Sequence, residues 1–327
     1  MFARCRSLAA SLVVLGLAGC GAVDSPTACD RACLIGIGDS YLAALMAHEP
    51  GLAPLADDLA FVENTTPTQV GRGLWVSASA IPSDYQIYVP DETAGTIGMM
   101  TLIGRRMPEG IPPALLAVRL KIEGGLITEA EHLVDDVPEV VNLASLVAPR
   151  PNLIAVVPEN ERMSRAELIA IAASYYEGLD TSDSSLVPFA DDCERQENGM
   201  ITAAYYLEPA AFDSEDVNGN SPPPVARDCA GQMDSARFAY IDSIDNRRVF
   251  AADPVQGLVM GLSHFRQSMT RGPLEMIAAD GSRVLWEEQR EPYDLPAAHI
   301  FKITNGQLHE VEAIGIFLPY QSPTGWE

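Results

Sequence analysis

Residues 40–64 read SYLAALMAHEPGLAPLADDLAFVEN, and the chain uses this stretch twice. It returns at residues 174–198 as SYYEGLDTSDSSLVPFADDCERQEN, without a gap and at an offset of 134 (Ser40 to Ser174). Ser40/Ser174, Tyr41/Tyr175, Leu45/Leu179, Leu52/Leu186, Pro54/Pro188, Ala56/Ala190, Asp57/Asp191, Asp58/Asp192, Glu63/Glu197 and Asn64/Asn198 are identical. A period this long marks a duplicated domain rather than a solenoid of short repeats. Downstream, LKIEGGLITEAE (120–131) aligns with FKITNGQLHEVE (301–312) at an offset of 181. The second copy therefore holds 47 additional residues between the two matches, from the two offsets 181 and 134. Most of them are expected at about 208–244, around Asn218-Gly219-Asn220 and Pro222-Pro223-Pro224, as a lid or a mobile loop.

Within each copy the texture is the same. Leu34, Ile37, Tyr41 and Leu45 form a helical stripe, matched by Leu168, Ile171, Tyr175 and Leu179 behind a Ser164-x-x-Glu167 capping box. A second, short helix is expected from Pro54 over PLADDLAF. Short strands follow, one near Leu74-Trp75-Val76 after Gly71-Arg72-Gly73, others at 85–89 and 97–103, then a hairpin of 115–122 and 126–133 about Gly124-Gly125. Long helix, short helix and several strands make an α+β protein of two tandem cone-shaped domains, each with helices packed on a curved antiparallel sheet. The expected boundaries are 28–134 and 161–327, with a Pro-rich linker at 135–160, and the two cones are expected to pack sheet to sheet as an internal pseudo-dimer.

Length and charge narrow the partners. The chain has 327 residues, a formal net charge of −24 and 47% hydrophobic residues, enough for real cores. Such acidity disfavours nucleic acid and anionic membrane surfaces. Arg4 and Arg6 precede a short apolar run at 8–17, too short to span a bilayer. The run ends in Leu17-Ala18-Gly19-Cys20, which resembles the lipobox of bacterial lipoproteins. The resemblance implies a signal peptide at 1–19, lipidation of Cys20, a tether at 20–27, and membrane contact through the lipid alone. An ordinary secretory signal is the alternative. Either way the mature chain is exported, to the outer membrane or periplasm or to the medium. Cys29, Cys33, Cys193 and Cys229 remain, and an even count in an oxidising compartment points to two disulfides, 29–33 and 193–229 by preference. A zinc site is the weaker rival, because no His stands at ligand spacing from a Cys pair.

The order of elements resembles the nuclear-transport-factor-like fold, which includes SnoaL-like polyketide cyclases, steroid isomerases and limonene epoxide hydrolase. Both copies are also similar to a domain of secreted bacterial and fungal proteins. The matching pieces are Cys29-Asp30-Arg31-x-Cys33, Glu63-Asn64 before Gly73-Leu74-Trp75, Phe301-Lys302-Ile303 leading to Glu310-Val311-Glu312-Ala313, Pro319-Tyr320 and Gly325-Trp326. A looser resemblance is to extracellular bacterial enzymes that cleave lignin-type β-aryl ethers without glutathione. These resemblances imply a fold more firmly than a reaction, since the fold hosts many chemistries.

There is no phosphate-binding Gly loop, no Gly-x-Ser-x-Gly elbow and no His-Glu-x-x-His. Glu63-Asn64 and Glu197-Asn198 could activate a pocket water or simply satisfy loop backbone; persistence in both copies favours the structural role. Asp91-x-x-x-Gly95 and Asp253-x-x-x-Gly257 also match, as turn formers or, in the first domain, as a pocket carboxylate beside Tyr88. The second copy is richer. His264 lies after Val259-Met260-Gly261-Leu262, and His299 shares a strand face with Phe301 and Ile303, while Glu310 and Glu312 share a face of the returning strand. His299 and Glu312 could orient one another if both point inward; a satisfied core His is the competing reading. Val118 stands where the first copy would have His299, whereas His132 keeps the first pocket in contention. The expected site is thus His299, Glu312, Asp253, Glu197, Tyr175, His264 and Tyr320, with no cofactor and no metal. The expected activity, implied by the fold resemblance, is water-activated opening of a carbon–oxygen bond in a small aromatic or apolar molecule. A non-catalytic lipoprotein binding a small hydrophobic ligand is the rival, and an isomerase or cyclase is a second.

Overall fold

The structure, a computed structural model, describes residues 29–80, 83–106, 112–137, 143–210, 222–287 and 290–327. The segment read as signal and tether, including Cys20, lies outside them, as does 211–221 of the expected insertion.

The first unit contains α1 (Arg31–Ala47), β1 (Leu55–Glu63), β2 (Thr66–Thr68), α2 (Leu74–Ser77), β3 (Ala78–Ser79), β4 (Gln86–Asp91), β5 (Thr96–Arg105), β6 (Ala114–Glu123) and β7 (Leu126–Asp136). A connecting stretch carries α3 (Pro151–Ile154). The second unit contains α4 (Arg165–Thr181), β8 (Phe189–Glu197), β9 (Met200–Ala204), α5 (Cys229–Asp234), β10 (Ser243–Asp253), β11 (Leu258–Gln267), β12 (Leu274–Ile277), β13 (Arg283–Trp286), β14 (Tyr293–Thr304), β15 (Gln307–Gly315) and β16 (Leu318–Pro319).

Both long helices start at matched caps. The Asp30 carboxylate accepts from Cys33 N, and Ser164 closes the full capping box with Glu167. Each unit is α+β, a long helix lying across a curled sheet, and the two sheets have the same strand order. It is β2-β1-β7-β6-β5-β4 in the first and β9-β8-β15-β14-β11-β10 in the second.

Two local expectations are corrected. Residues 54–61 form no short helix: β1 and its copy β8 are edge-side strands, and they run parallel to β7 and β15 in sheets that are otherwise antiparallel. The spacing of Leu55, Leu59 and Val62 imitates a helical stripe, but backbone pairing with the last strand decides the conformation. Conversely, Leu74-Trp75-Val76 is a helical turn, α2, not a strand. The disulfides Cys29–Cys33 and Cys193–Cys229 are both formed. The extra length of the second copy is divided: besides the stretch carrying α5, the β12–β13 hairpin sits between β11 and β14 and is tied back through Ile277 N donating to Ser235 O.

One core lies between each helix and its sheet, around Tyr41, Trp75 and Phe61 in the first unit and Tyr175, Tyr176 and Phe301 in the second. A third core joins the outer faces of the two sheets. There Ile87, Val89, Met100 and Leu115 pack with Met260, Leu262, Ala298 and Ile300, and Leu153 of α3 is wholly buried in the same cluster. Two ion pairs cross this interface reciprocally and close together, since Asp91 also accepts from Ala252 N, beside Asp253. Arg31 Nη2 reaches Asp253 Oδ2 at 2.8 Å, and Arg165 Nε reaches Asp91 Oδ2 at 2.7 Å. Arg31 and Arg165 occupy matched positions, as do Asp91 and Asp253, so residue i meets residue j of the other unit and j meets i. The same carboxylates close their own turns, accepting from Ala94 N and Val255 N.

Candidate functional site

In the first cone the space between α1 and the sheet is filled. Tyr41 OH and His132 Nε2 are hydrogen-bonded at 2.9 Å, and His132 Nδ1 lies 3.2 Å from Glu63 Oε2. Glu63 also accepts from Leu74 N with both oxygens, at 3.1 Å each. That bond pins α2, whose Trp75 ring meets Tyr41 edge-on at 5.5 Å and is fully buried. Gly73, at φ 58°, lets the chain pass over the Glu63 carboxylate, which a Cβ would strike. The Tyr–His–Glu chain thus holds a plug in place.

The second cone has the same frame with different contents. At matched positions Phe61 becomes Arg195, His132 becomes Ala313, Val134 becomes Gly315, Val118 becomes His299 and Leu42 becomes Tyr176. Small residues replace large ones on β15, and a cavity of about 230 Å³ opens. Phe238 and Tyr240 from the insertion, Phe265 and Leu295 from the sheet, and Tyr293 with the exposed Phe317 supply its apolar walls. Tyr175, Arg195, Glu197, Gln267 and His299 are among the polar ones, and a second guanidinium, Arg290, lies over Tyr240 and Tyr293.

Arg195 is 5% exposed. Its Nε donates to Thr202 Oγ1 at 3.0 Å, Nη1 to the Tyr175 hydroxyl at 3.3 Å and Nη2 to Gln232 Oε1 at 2.5 Å. The Phe238 ring lies 4.9 Å from its guanidinium carbon, within cation–π range. Glu197 Oε2 is 3.7 Å away, on a side chain 40% exposed. His299 Nδ1 is 3.2 Å from the Tyr176 hydroxyl, and its ring stacks on Phe301. Burial, with the Arg195 charge adding to it, pushes the His299 imidazolium down to about 3, so the ring is neutral at ordinary pH. Burial also raises the Tyr175 phenol, while Arg195 acts against that shift.

Of the residues expected at the site, His299, Tyr175 and Glu197 meet in this cavity. Glu312 does not. Register pairs it with Ile300, while His299 pairs with Ala313, so Glu312 lies on the opposite sheet face. There it sits 3.2 Å from Arg150 and is held up to about 7, because burial outweighs the Arg150 charge. The anticipated His299–Glu312 pair is therefore absent. Asp253 belongs to the ion pair with Arg31, and Tyr88 donates to Asp39 rather than standing beside Asp91 in a pocket. His264 is 3.4 Å from the buried Asp294, on a strand register away from the cavity wall. Tyr320 follows β16 and lines neither this cavity nor the outer groove. Asn64 and Asn198 each exchange two bonds with the backbone of the last strand, at Val134 and Gly315, which is a structural role. Arg195, Gln232, Phe238 and Tyr240 were not anticipated. The legible signal for Arg195 was a charge at the position where the first copy has Phe61.

A larger hollow, about 710 Å³, is an open groove on the outer face of the second sheet beside α3. Its charged groups satisfy one another, with Arg150 spanning Glu194, Glu310 and Glu312. The cone cavity is smaller but is walled by rings and reaches the buried Arg195, Tyr175 and His299, and it is the candidate site. Among the described residues no group of three or more His, Cys, Asp or Glu is placed to hold a metal, and no helix is long and apolar enough to cross a membrane.

A family model described as "Domain of unknown function (DUF8021)" matches residues 161–315. No curated protein matches the sequence. Among solved structures, a Silicibacter protein described as a "putative polyketide cyclase" is 12% identical at a TM-score of 0.28, covering 47% of this chain and 91% of its own. A Xanthomonas campestris protein with the same description is 15% identical at 0.27, over 46% of this chain and 90% of its own. An NTF2-like protein of Burkholderia thailandensis is 13% identical at 0.25, over 46% and 90%.

Proposed function

We propose that the second cone is a reaction chamber for a small aromatic or apolar molecule, and that the protein is a cofactor-independent hydrolase opening a carbon–oxygen bond, aryl ethers included. The observation that carries this reading is the ring-walled cavity ending on Arg195, Tyr175 and His299 with the Glu197 carboxylate beside them. A cavity of roughly 150 Å³ encloses benzene. About 230 Å³ therefore takes one substituted ring, and a second ring of a larger aryl ether would rest at the mouth near Phe317 and Tyr293.

Glu197 is the base in this reading, because it alone among the polar wall residues is an exposed carboxylate that water can reach. It takes a proton from water; the hydroxide oxygen forms the new bond to carbon, and the old carbon–oxygen bond breaks with its electron pair on the departing oxygen. Arg195 Nη1 donates to the Tyr175 oxygen, leaving the phenol's own proton for that departing oxygen. Proton return from Glu197 to Tyr175 through water closes the cycle. His299 is too weak a base to share the work and serves as a neutral polar wall group.

The same reading holds the two units to be an internal pseudo-dimer, supported by the reciprocal ion pairs, and the chain to be exported and anchored through Cys20, supported by its two disulfides. One observation favours the rival, a binding protein without catalysis: the Glu197 carboxylate lies 3.7 Å from the Arg195 guanidinium, where it serves as a counter-charge to a buried cation. The test incubates the full chain with aryl ethers and epoxides in oxygen-18 water and weighs the products. One heavy oxygen per product is expected, with a loss of roughly 10²–10⁴-fold in Glu197→Gln and little change in Glu312→Gln. An isomer without label would make the protein an isomerase, and no turnover across the panel would leave the binding reading.

A further inference from the structure

We infer that the ligand of the second cone carries a carboxylate and that the Arg195 guanidinium is its receptor. This rests on the reading of that cone as a small-molecule site, and it adds the charge class of the molecule.

Arg195 is a cation on a face where the first unit has a phenyl ring. A buried guanidinium is costly unless an anion meets it, and its planar fork matches a carboxylate in two parallel bonds. Here its three bonded acceptors, Thr202, Tyr175 and Gln232, are all neutral. Of five N–H groups, two are left by these bonds. The nearest carboxylate oxygen, on Glu197, stands at 3.7 Å, beyond hydrogen-bond length, on a side chain that reaches solvent. Glu at that position is common to both units and in the first serves the plug, whereas the Arg is particular to the second.

The guanidinium is held in a built setting. Gln232 Nε2 donates to Thr202 O, so the two acceptors brace each other. The Cys193–Cys229 bond fixes α5, which carries Gln232, against β8, which carries Arg195. Phe238 covers the guanidinium from one side, and Tyr240 and Phe265 continue the apolar wall. A compact aromatic carboxylate satisfies both halves, with its anion on Arg195 and its ring among these side chains. The neutral His299 adds no competing charge.

Titration calorimetry of the full chain with phenoxyacetate and its neutral counterpart phenoxyethanol tests this. Phenoxyacetate is expected to bind about tenfold tighter or more, the scale of one charge-assisted hydrogen bond. Arg195→Gln should abolish that preference and leave phenoxyethanol within about threefold of its original affinity, while Arg195→Lys should keep part of the preference. Ala313→Phe, which fills the cavity, should abolish both. Equal affinity of the two compounds for the unaltered protein, or a preference that survives Arg195→Gln, would overturn the carboxylate receptor and leave the pocket standing. Binding of neither compound, or of both after Ala313→Phe, would overturn the pocket reading beneath it. If Arg195→Gln does not fold, as judged by circular dichroism, the comparison on the unaltered protein decides.

Discussion

The first and second cones share a helix, a strand order and a Glu at the end of the first strand, and they differ in what occupies the space between. In the first, Glu63 spends its carboxylate on His132 and on the backbone of α2, and Trp75 fills the interior. In the second, Ala313 stands where the His would be, and Glu197 faces Arg195 across 3.7 Å beside a cavity. The cavity goes with smaller residues on β15 and with walls supplied by the insertion, while the strand order is unchanged. The frame costs little to keep, because strand pairing and the helix–sheet core do not depend on what lies at the tip of the cone.

The comparison makes graded predictions. The largest effect is expected from Trp75→Ala, which should destabilise the protein by about 3–5 kcal/mol, the range for truncating a buried aromatic. Phe238→Ala, facing a cavity, should lose less than about 2 kcal/mol. Urea denaturation of the two variants compares them directly, and equal losses would mean that the second cone is packed as tightly as the first.

Next come the reciprocal ion pairs. Asp91→Asn and Asp253→Asn should each cost about 2 kcal/mol, below the value for a fully buried pair because each Arg remains about one-third exposed. The two losses should agree within about 0.5 kcal/mol, and the double variant should depart from their sum, since Asp91 also accepts from Ala252 N, next to Asp253. A large loss from one and none from the other would break the symmetry claimed for this contact.

The last effect is a change of slope. His299 is held near 3 in the folded protein against an ordinary value of 6.5. Above pH 6.5 neither state is protonated at this ring and its contribution is fully present. As the pH falls from 6.5 towards 3 the unfolded chain takes up a proton that the folded one refuses, and stability is lost. His299→Gln should therefore lose less stability than the unaltered protein between pH 7 and pH 4, measured as urea midpoints. Parallel losses would show that the ring is not held neutral.

Much of the frame was legible before any coordinates. The duplicated stretch, the capping box at Ser164, the hairpin about Gly124-Gly125 and both disulfide pairings could be read from residue identity and spacing, because each depends on local chemistry or on parity. The misread parts share a cause. β1 and β8 carry helix-like apolar spacing, and only their pairing with a strand some 70 or more residues away makes them extended. Glu312 was placed with His299 because both strands alternate, but alternation fixes which residues share a face on one strand and is silent about register between strands. Asp91 and Asp253 were noticed as a matched pair, and Arg31 with Arg165 was the other half of the evidence. Two opposite charges repeated at fixed offsets are what a self-complementary contact requires. The walls of the cavity were hardest, since Phe238 and Tyr240 come from inserted residues that have no counterpart in the first copy to be compared with.

The reciprocal Arg–Asp contact has a consequence for how the two halves can change. In an assembly of two identical chains every substitution appears twice, so a residue that opens one pocket opens both, and the core behind each loses support together. When the same geometry is carried by a single polypeptide, a change on one side leaves the other untouched. One half can then serve as a buttress, with its interior solid, while the other gives up packing for an internal space. The division seen here, Trp75 on one side and a hollow on the other, is open only to a molecule whose symmetry is confined to its backbone.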